Sequence, residues 1–231
     1  MKKTLLIFAV FSASLRAQTA EEVVKFYSNA LGGADAWKKV ESLSFKGKVE
    51  VQGMTFPVVI HSKRPNFFYQ EMEFMGKKIK QVFAGDRGWT INPFTGSDKP
   101  QPMSPEQAKE MKHNASFDDA LMFFKENGST IKLLDPAKLD GLDTYVVELT
   151  EKDGTITRYF IDKELGLPLK EISIREGEEV EKIFSDFRQV DSKILPFKME
   201  YKVKGNVVSV LQFEQVEFNN VKDDSLFRMP E

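Results

Sequence analysis

The chain contains no cysteine. It can form no disulfide, hold no thiolate metal centre and carry no lipid on an N-terminal cysteine. Histidine is nearly as scarce, with only His61 and His113, and no HExxH or Cys/His cluster surrounds either. His61 falls at the end of a strand pattern. His113 falls near a helix C-terminus, where the dipole favours a positive ring. Both read as structural. There is no G-x-S-x-G elbow and no glycine-rich phosphate loop. The pairs Asp118-Asp119 and Asp223-Asp224 do not repair the deficit. Neighbours on a helix point in different directions, so Asp118-Asp119 reads as the solvated, acidic start of a helix, complementing the dipole. No catalytic residue, metal or cofactor is therefore expected, and the chain is not expected to be an enzyme.

Long apolar runs are absent too. The longest, residues 5–11, is too short for a membrane-spanning helix of about 20 residues. It follows Met1-Lys2-Lys3 and precedes Leu15-Arg16-Ala17, which is the pattern of a secretory signal. The expected domains are a signal peptide over 1–17, cut near Ala17, and one domain over 18–231. A net charge of −2 becomes about −5 once the two lysines and Arg16 are removed. That balance argues against nucleic acid, which needs a basic face. An exported chain without disulfides must rest on its core, and this length suffices.

Positive signals begin after the signal. Thr19 and Glu22 have capping-box spacing, and Val23, Phe26, Tyr27, Ala30 and Leu31 follow at helical intervals. Gly32 and Gly33 end that helix. A short second helix over 34–40 lays Trp37 and Val40 on the same core. From Leu43 the period becomes two, which predicts strands over 43–51, 54–62, 67–75, 78–84 and 87–92, joined by glycine turns. Residues 95–102 are polar and turn-rich. Ser104-Pro105-Glu106-Gln107 caps a helix over 105–112. Another helix is expected from Ser116, with Phe117, Ala120, Leu121 and Phe124 on one face. Seven more strands follow, over 131–139, 144–151, 156–162, 168–175, 180–188, 195–203 and 207–219. In the last, apolar parity slips between Phe213 and Val216, which predicts a bulge near Glu214. The expectation is one long, strongly curved antiparallel sheet of about twelve strands, mainly β with a minor helical part (α+β). A sheet that long tends to curl. Twenty Phe and nine Met, against five Tyr and two Trp, suit a concave side that meets acyl chains, Met being adaptable. They suit protein packing equally well.

Two stretches carry a resemblance. Lys63-Arg64-Pro65-Asn66-Phe67-Phe68-Tyr69, and Gly85-Asp86 through Trp89 to Asn92-Pro93-Phe94, resemble the motifs of the LolA family, periplasmic carriers of outer-membrane lipoproteins. The 117–124 stretch is similar to that family's lid helix. Later segments, among them Tyr159-Phe160-Ile161-Asp162, Leu195-Pro196-Phe197 and Ser225-Leu226-Phe227-Arg228-Met229-Pro230, resemble the broader lipoprotein-sorting set. Ser192 stands where a glycine turn is usual. The resemblance implies an incomplete (half) β-barrel, with helices capping an apolar cavity. It implies a soluble, monomeric periplasmic carrier that shuttles lipoproteins toward the outer membrane. Acyl chains of lipoproteins or other lipids would enter the cavity as lid helices swing aside. Partners would be an inner-membrane releasing complex and an outer-membrane acceptor, each contacted transiently.

An arginine matching Arg64 ties the lid shut in that family. Arg64 is therefore expected to point toward the middle helices or their loops and to bond backbone oxygen there. Pro65, Phe67 or Phe68, Trp89, Phe94, Phe117, Leu121 and Phe124 complete the candidate lipid-binding set. Only one of Phe67 and Phe68 can face the cavity, because strand neighbours alternate. The alternatives are a carrier or sensor of another lipid or glycolipid, and a non-catalytic protein-interaction module on the same fold.

Overall fold

The computed structural model describes residues 18–175 and 178–230. The signal peptide expected over 1–17 lies outside them. Thirteen strands form one open antiparallel sheet: β1 Ser42–Val51, β2 Met54–Lys63, β3 Phe67–Phe74, β4 Lys77–Ala84, β5 Arg87–Asn92, β6 Ser97–Pro102, β7 Thr130–Leu139, β8 Leu142–Thr150, β9 Ile156–Asp162, β10 Pro168–Arg175, β11 Glu178–Val190, β12 Lys193–Val203 and β13 Asn206–Phe218. The order is β6-β5-β4-β3-β2-β1-β13-β12-β11-β10-β9-β8-β7. Two meanders, β1–β6 and β7–β13, are thus joined side by side at one seam, β1 against β13.

The thirteenth strand corrects the expectation of twelve. Ser-Asp-Lys-Pro-Gln-Pro reads as a loop because proline cannot donate to a ladder. At a sheet edge no donation is needed on the outer side, and β6 is an edge. The bulge falls where the parity slip placed it. Lys46 pairs with Gln215 and Gly47 with Phe213, so Glu214 is the extra residue.

The helices are α1 Ala20–Ala30, α2 Ala34–Trp37, α3 Pro105–Asn114 and α4 Phe124–Asn127. None is long and apolar enough to cross a membrane. α1 starts on the Thr19–Glu22 capping box and buries Val23, Val24 and Tyr27. These pack with Val147, Leu149, Tyr159 and Ile161 of β8 and β9, residues that cross-strand pairing puts on one face. At the end of α1, Gly32 passes so close to β12 that a Cβ there would stand 2.4 Å from the Ser192 carbonyl oxygen.

The topology makes one further demand. β6 and β7 are opposite edges of the sheet, so residues 103–129 must travel from one edge to the other. Twelve interstrand gaps amount to ~58 Å on a flat sheet. A strap that includes a helix and several turns spans that distance only if the sheet curls. Its contacts trace its path. α3 lays Met111 and Ala115 on Phe83 of β4 and Phe68 of β3. Phe117 packs on Leu43, Leu195, Phe197 and Phe213 at the seam. Leu121, Met122 and Phe123 reach the α1 core over β7–β9.

The helix expected from Ser116 is not there. Residues 116–123 form turns, and helical structure resumes only for the four residues of α4. Side chains take the backbone donors that a helix would use. Ser116 Oγ accepts from the Asp118 N–H at 3.2 Å, and Asp119 Oδ1 accepts from the Met122 N–H at 2.6 Å. Such local bonds by Ser and Asp compete with a helix.

Candidate binding site: a clasped strap beside an apolar trough

Arg64 lies just after β2, and its N–H donates to Glu41 O at 2.9 Å. Its Nε donates to Val40 O at 2.6 Å and an Nη to Trp37 O at 3.3 Å, Trp37 being the last residue of α2 and Val40 lying between α2 and β1. The same guanidinium holds both oxygens of Asp118 in the strap, with 2.6 Å between Nη2 and Oδ1. It also lies over the Phe117 ring, 5.0 Å from its centroid. The expectation was thus half met. Arg64 reaches the middle segment, but through a carboxylate and a ring, while the backbone oxygens come from the end of α2 and the residues that follow it. A planar five-donor fork serves all these acceptors at once, which an ammonium could not do. Arg64 and Asp118 side chains are 25% and 28% exposed, so water screens the pair only in part.

The second strap aspartate faces the other way. Asp119 is half-buried and accepts from the Tyr27 hydroxyl of α1 and from the Met122 N–H. Burial raises its carboxyl from 3.8 to about 6, against the pull of the Tyr27 and Met122 hydrogen bonds and with a further push from Glu171. Burial, with Asp119 beside it, likewise pushes the Tyr27 phenol up. The reading of these two acids as a solvated helix start is therefore corrected. In a turn, successive side chains diverge, and each clasps the strap to a different element.

The predicted cavity residues do not converge on one space. Phe67 and Trp89 lie on the far face of the sheet, clustered with Tyr69, Val82 and Phe227 of the C-terminal turn Ser225–Phe227. Phe68 lies under α3. Leu121 is fully buried in the α1 core, with Phe124 at its margin. Pro65 is exposed. Their separation follows from parity. Phe68 pairs with Phe83, whereas Tyr69 and Val82 pair in line with Trp89 on the opposite face. A cleft of about 860 Å³ does exist, between α1, α2 and residues 122–125, but Glu21, Glu22, Lys25, Asp35 and Lys39 give it a charged rim.

The apolar surface lies elsewhere on the strap-bearing face. Register places Phe45, Ile60, Phe56, Met72, Phe74, Ile79, Leu211 and Met199 on that face, beyond the strap toward the other ends of the strands. All eight are neither buried nor fully exposed. Phe45 stacks on Phe213 at 4.4 Å, Phe56 meets Phe74 edge-on at 5.1 Å, and Phe74 meets Phe94 at 4.9 Å. Phe94, 45% exposed, closes the row. These residues form an apolar strip, the trough, across β1–β4, β12 and β13, with Phe94 beyond the end of β5. The strand alternation contained this row, but motif-based reading looked only at the segments beside Arg64.

A family model described as an uncharacterized protein matches residues 71–230. The chain belongs to that family. No curated protein matches it. Among solved structures, a DUF1329 family protein from Desulfovibrio piger is similar over 92% of this chain and 98% of its own, with 13% identity and a TM-score of 0.61. A candidate outer membrane lipoprotein-sorting protein domain from Vibrio parahaemolyticus covers 90% and 97%, with 14% identity and a TM-score of 0.61. A LolA superfamily protein from Nitrosomonas europaea covers 92% and 98%, with 15% identity and a TM-score of 0.59. The fold is LolA-like, in its open-sheet form.

Family members with this fold could still differ in chemistry, so the polar groups matter. Among the described residues no cluster of His, Asp or Glu is set to hold a metal. One serine touches a histidine: Ser44 Oγ stands 2.6 Å from His61 Nδ1 and 2.6 Å from Asn220 Oδ1. Asn220 Nδ2 donates to Glu217 at 2.7 Å, which fixes the amide's orientation. The single Ser44 proton goes to Asn220, so His61 Nδ1 must carry its own proton and donate to Ser44. A histidine in that tautomer cannot take the serine's proton, and the pair is not an activated nucleophile.

Proposed function

We propose that this protein is an exported, non-catalytic carrier that holds the acyl chains of lipoproteins on the trough. The observation that carries this reading is the row of part-exposed Phe, Met and Ile side chains beside a strap fastened by polar groups. Apolar surface of that extent gains about 0.8 kcal/mol for each CH₂ it covers. The strap's clasp is of comparable size, at about 1.5–3 kcal/mol for each charge-assisted bond. Lipid binding can therefore offset unclasping, and a carrier needs such a balance to load and release. The LolA-like fold supports the same reading. In it the protein is a periplasmic monomer that meets a releasing complex at the inner membrane and an acceptor at the outer membrane.

Native mass spectrometry of protein purified gently from the periplasm tests this. A bound lipidated peptide is the expected adduct. A plain lipid would redirect the reading to a carrier or sensor of other lipids. An empty protein that also fails to take up lipopeptide would end the carrier reading.

A further inference from the structure

Within the trough reading, we infer that the trough selects amphiphiles whose uncharged head both donates and accepts hydrogen bonds, as a lipopeptide amide or a hydroxyl does, and rejects fatty-acid anions. The apolar rows stop at β10–β12. Directly paired across those strands, Glu171, Lys182 and Tyr201 form a polar row on the strap-bearing face. It abuts the trough, since Phe184 pairs with Met199, and Met199 with Leu211. Lys182 Nζ donates to Glu171 at 3.1 Å and lies 5.9 Å from the Phe184 ring centroid and 5.8 Å from that of Tyr201. Lys182 keeps 35% of its side chain open to solvent, against 15% for Glu171, so the ion pair can be reached from the strap-bearing face. A pair of hydroxyls, Thr157 and Ser173 at 3.0 Å, continues the polar row.

The charges decide what fits. Lys182 is already neutralised by Glu171, and Asp119 lies behind both. An anionic head would bring another negative charge against two carboxylates and one ammonium. An ester carbonyl can accept from Lys182 but offers Glu171 nothing. A hydroxyl both donates and accepts, so it can satisfy the remaining valences of ammonium and carboxylate together. The Tyr201 ring adds a flat apolar wall beside them.

The test uses three probes with one chain length, at pH 8 and below their critical micelle concentrations: 1-monolauroylglycerol, methyl laurate and lauric acid. Kd values come from displacement of a fluorescent alkyl probe. Monolauroylglycerol should bind about tenfold tighter than methyl laurate, and lauric acid weakest of the three. Glu171→Gln makes the polar row one unit more positive, and lauric acid should then overtake the methyl ester. Equal affinities, or lauric acid tightest in the wild type, overturn the inference and leave the trough reading intact. An order unchanged in Glu171→Gln of wild-type melting temperature also overturns it. Failure of all three to bind removes the trough reading itself. The wild-type series alone is decisive if Glu171→Gln does not fold.

Discussion

At the scale of single residues, the two strap aspartates do different work and can be separated. Asp119 is an acid whose folded pKa, about 6, exceeds its ordinary 3.8. Between those values the folded chain binds more protons than the unfolded one, so stability falls as pH rises through that window. The contribution is fully favourable below about pH 4 and lost above about pH 6. A shift of that size corresponds to about 3 kcal/mol. The groups facing it are Tyr27 from α1 and Tyr159, Glu171 and Lys182 from the sheet. Asp119→Asn keeps both hydrogen bonds with the tyrosine roles reversed, and carries no charge. Urea unfolding at pH 4.5 and 7.5 should show the variant gaining about 2–3 kcal/mol on the wild type between the two pH values. A constant difference would mean that Asp119 is not ionising in a half-buried site.

Asp118 acts on the strap alone, while Arg64 also bonds the Val40 and Trp37 carbonyls. Asp118→Asn should therefore loosen residues 115–123 with little change in melting temperature. Arg64→Leu should do both, and Arg64→Lys should fall between. Loss of about 1.5–3 kcal/mol raises the open fraction roughly ten- to a hundredfold. Amide hydrogen exchange of the strap and transfer of a fluorescent lipopeptide to liposomes both read that fraction. Wild-type exchange in Arg64→Leu would reduce the clasp to a surface ion pair.

At the scale of elements, the seam depends on a glycine facing a bulge. Gly47 sits where β13 carries the extra Glu214. A Cβ at Gly47 would stand 2.2 Å from Gln212 O and 2.7 Å from Phe213 Cα. Both atoms are backbone, so no rotamer change relieves the clash. Gly47→Ala should cost about 1–3 kcal/mol, seen as a lowered thermal midpoint. An unchanged midpoint would show that the ladder can shift by more than the bulge suggests. This bulge was legible in the sequence because it shifts hydrophobic parity, a signal that spans only a few residues. The capping boxes at Thr19 and Ser104 were legible for the same reason. β6 was not, because edge strands accept prolines that elsewhere forbid a strand. The lid helix was misread because Phe117, Ala120, Leu121 and Phe124 keep helical spacing while serving two separate clusters along a crossing strap. Periodicity records which residues are apolar, not whether they meet one neighbour or several. The trough was hidden in the same way. Phe56, Met72 and Phe74 become one surface only when the register of β2 against β3 is known.

At the scale of the molecule, everything turns on the seam. Two meanders, contiguous in sequence and each built of local hairpins, meet through β1 and β13, through the strap that crosses them and through the C-terminal turn that lays Phe227 on the first meander. Phe213, 2% exposed, is the seam's largest buried side chain, stacked on Phe45 and packed with Leu43 and Leu195. The chain's two tryptophans report on different parts of it. Trp89 lies in the first meander against Phe227. Trp37 lies at the seam, edge-on to Phe218 at 5.8 Å. Truncating a buried phenylalanine costs about 3–5 kcal/mol. At most sites that loss would lower one cooperative transition. At the seam it weakens the contact that makes two meanders unfold as one body. Phe213→Ala should therefore separate the urea midpoints seen by Trp37 and Trp89 in single-tryptophan variants, Trp89→Phe and Trp37→Phe, and reduce the m-value of each step. In the parent chain the two midpoints should coincide. Coincident midpoints in Phe213→Ala would show that the strap and the C-terminal turn couple the halves without the seam's phenylalanine.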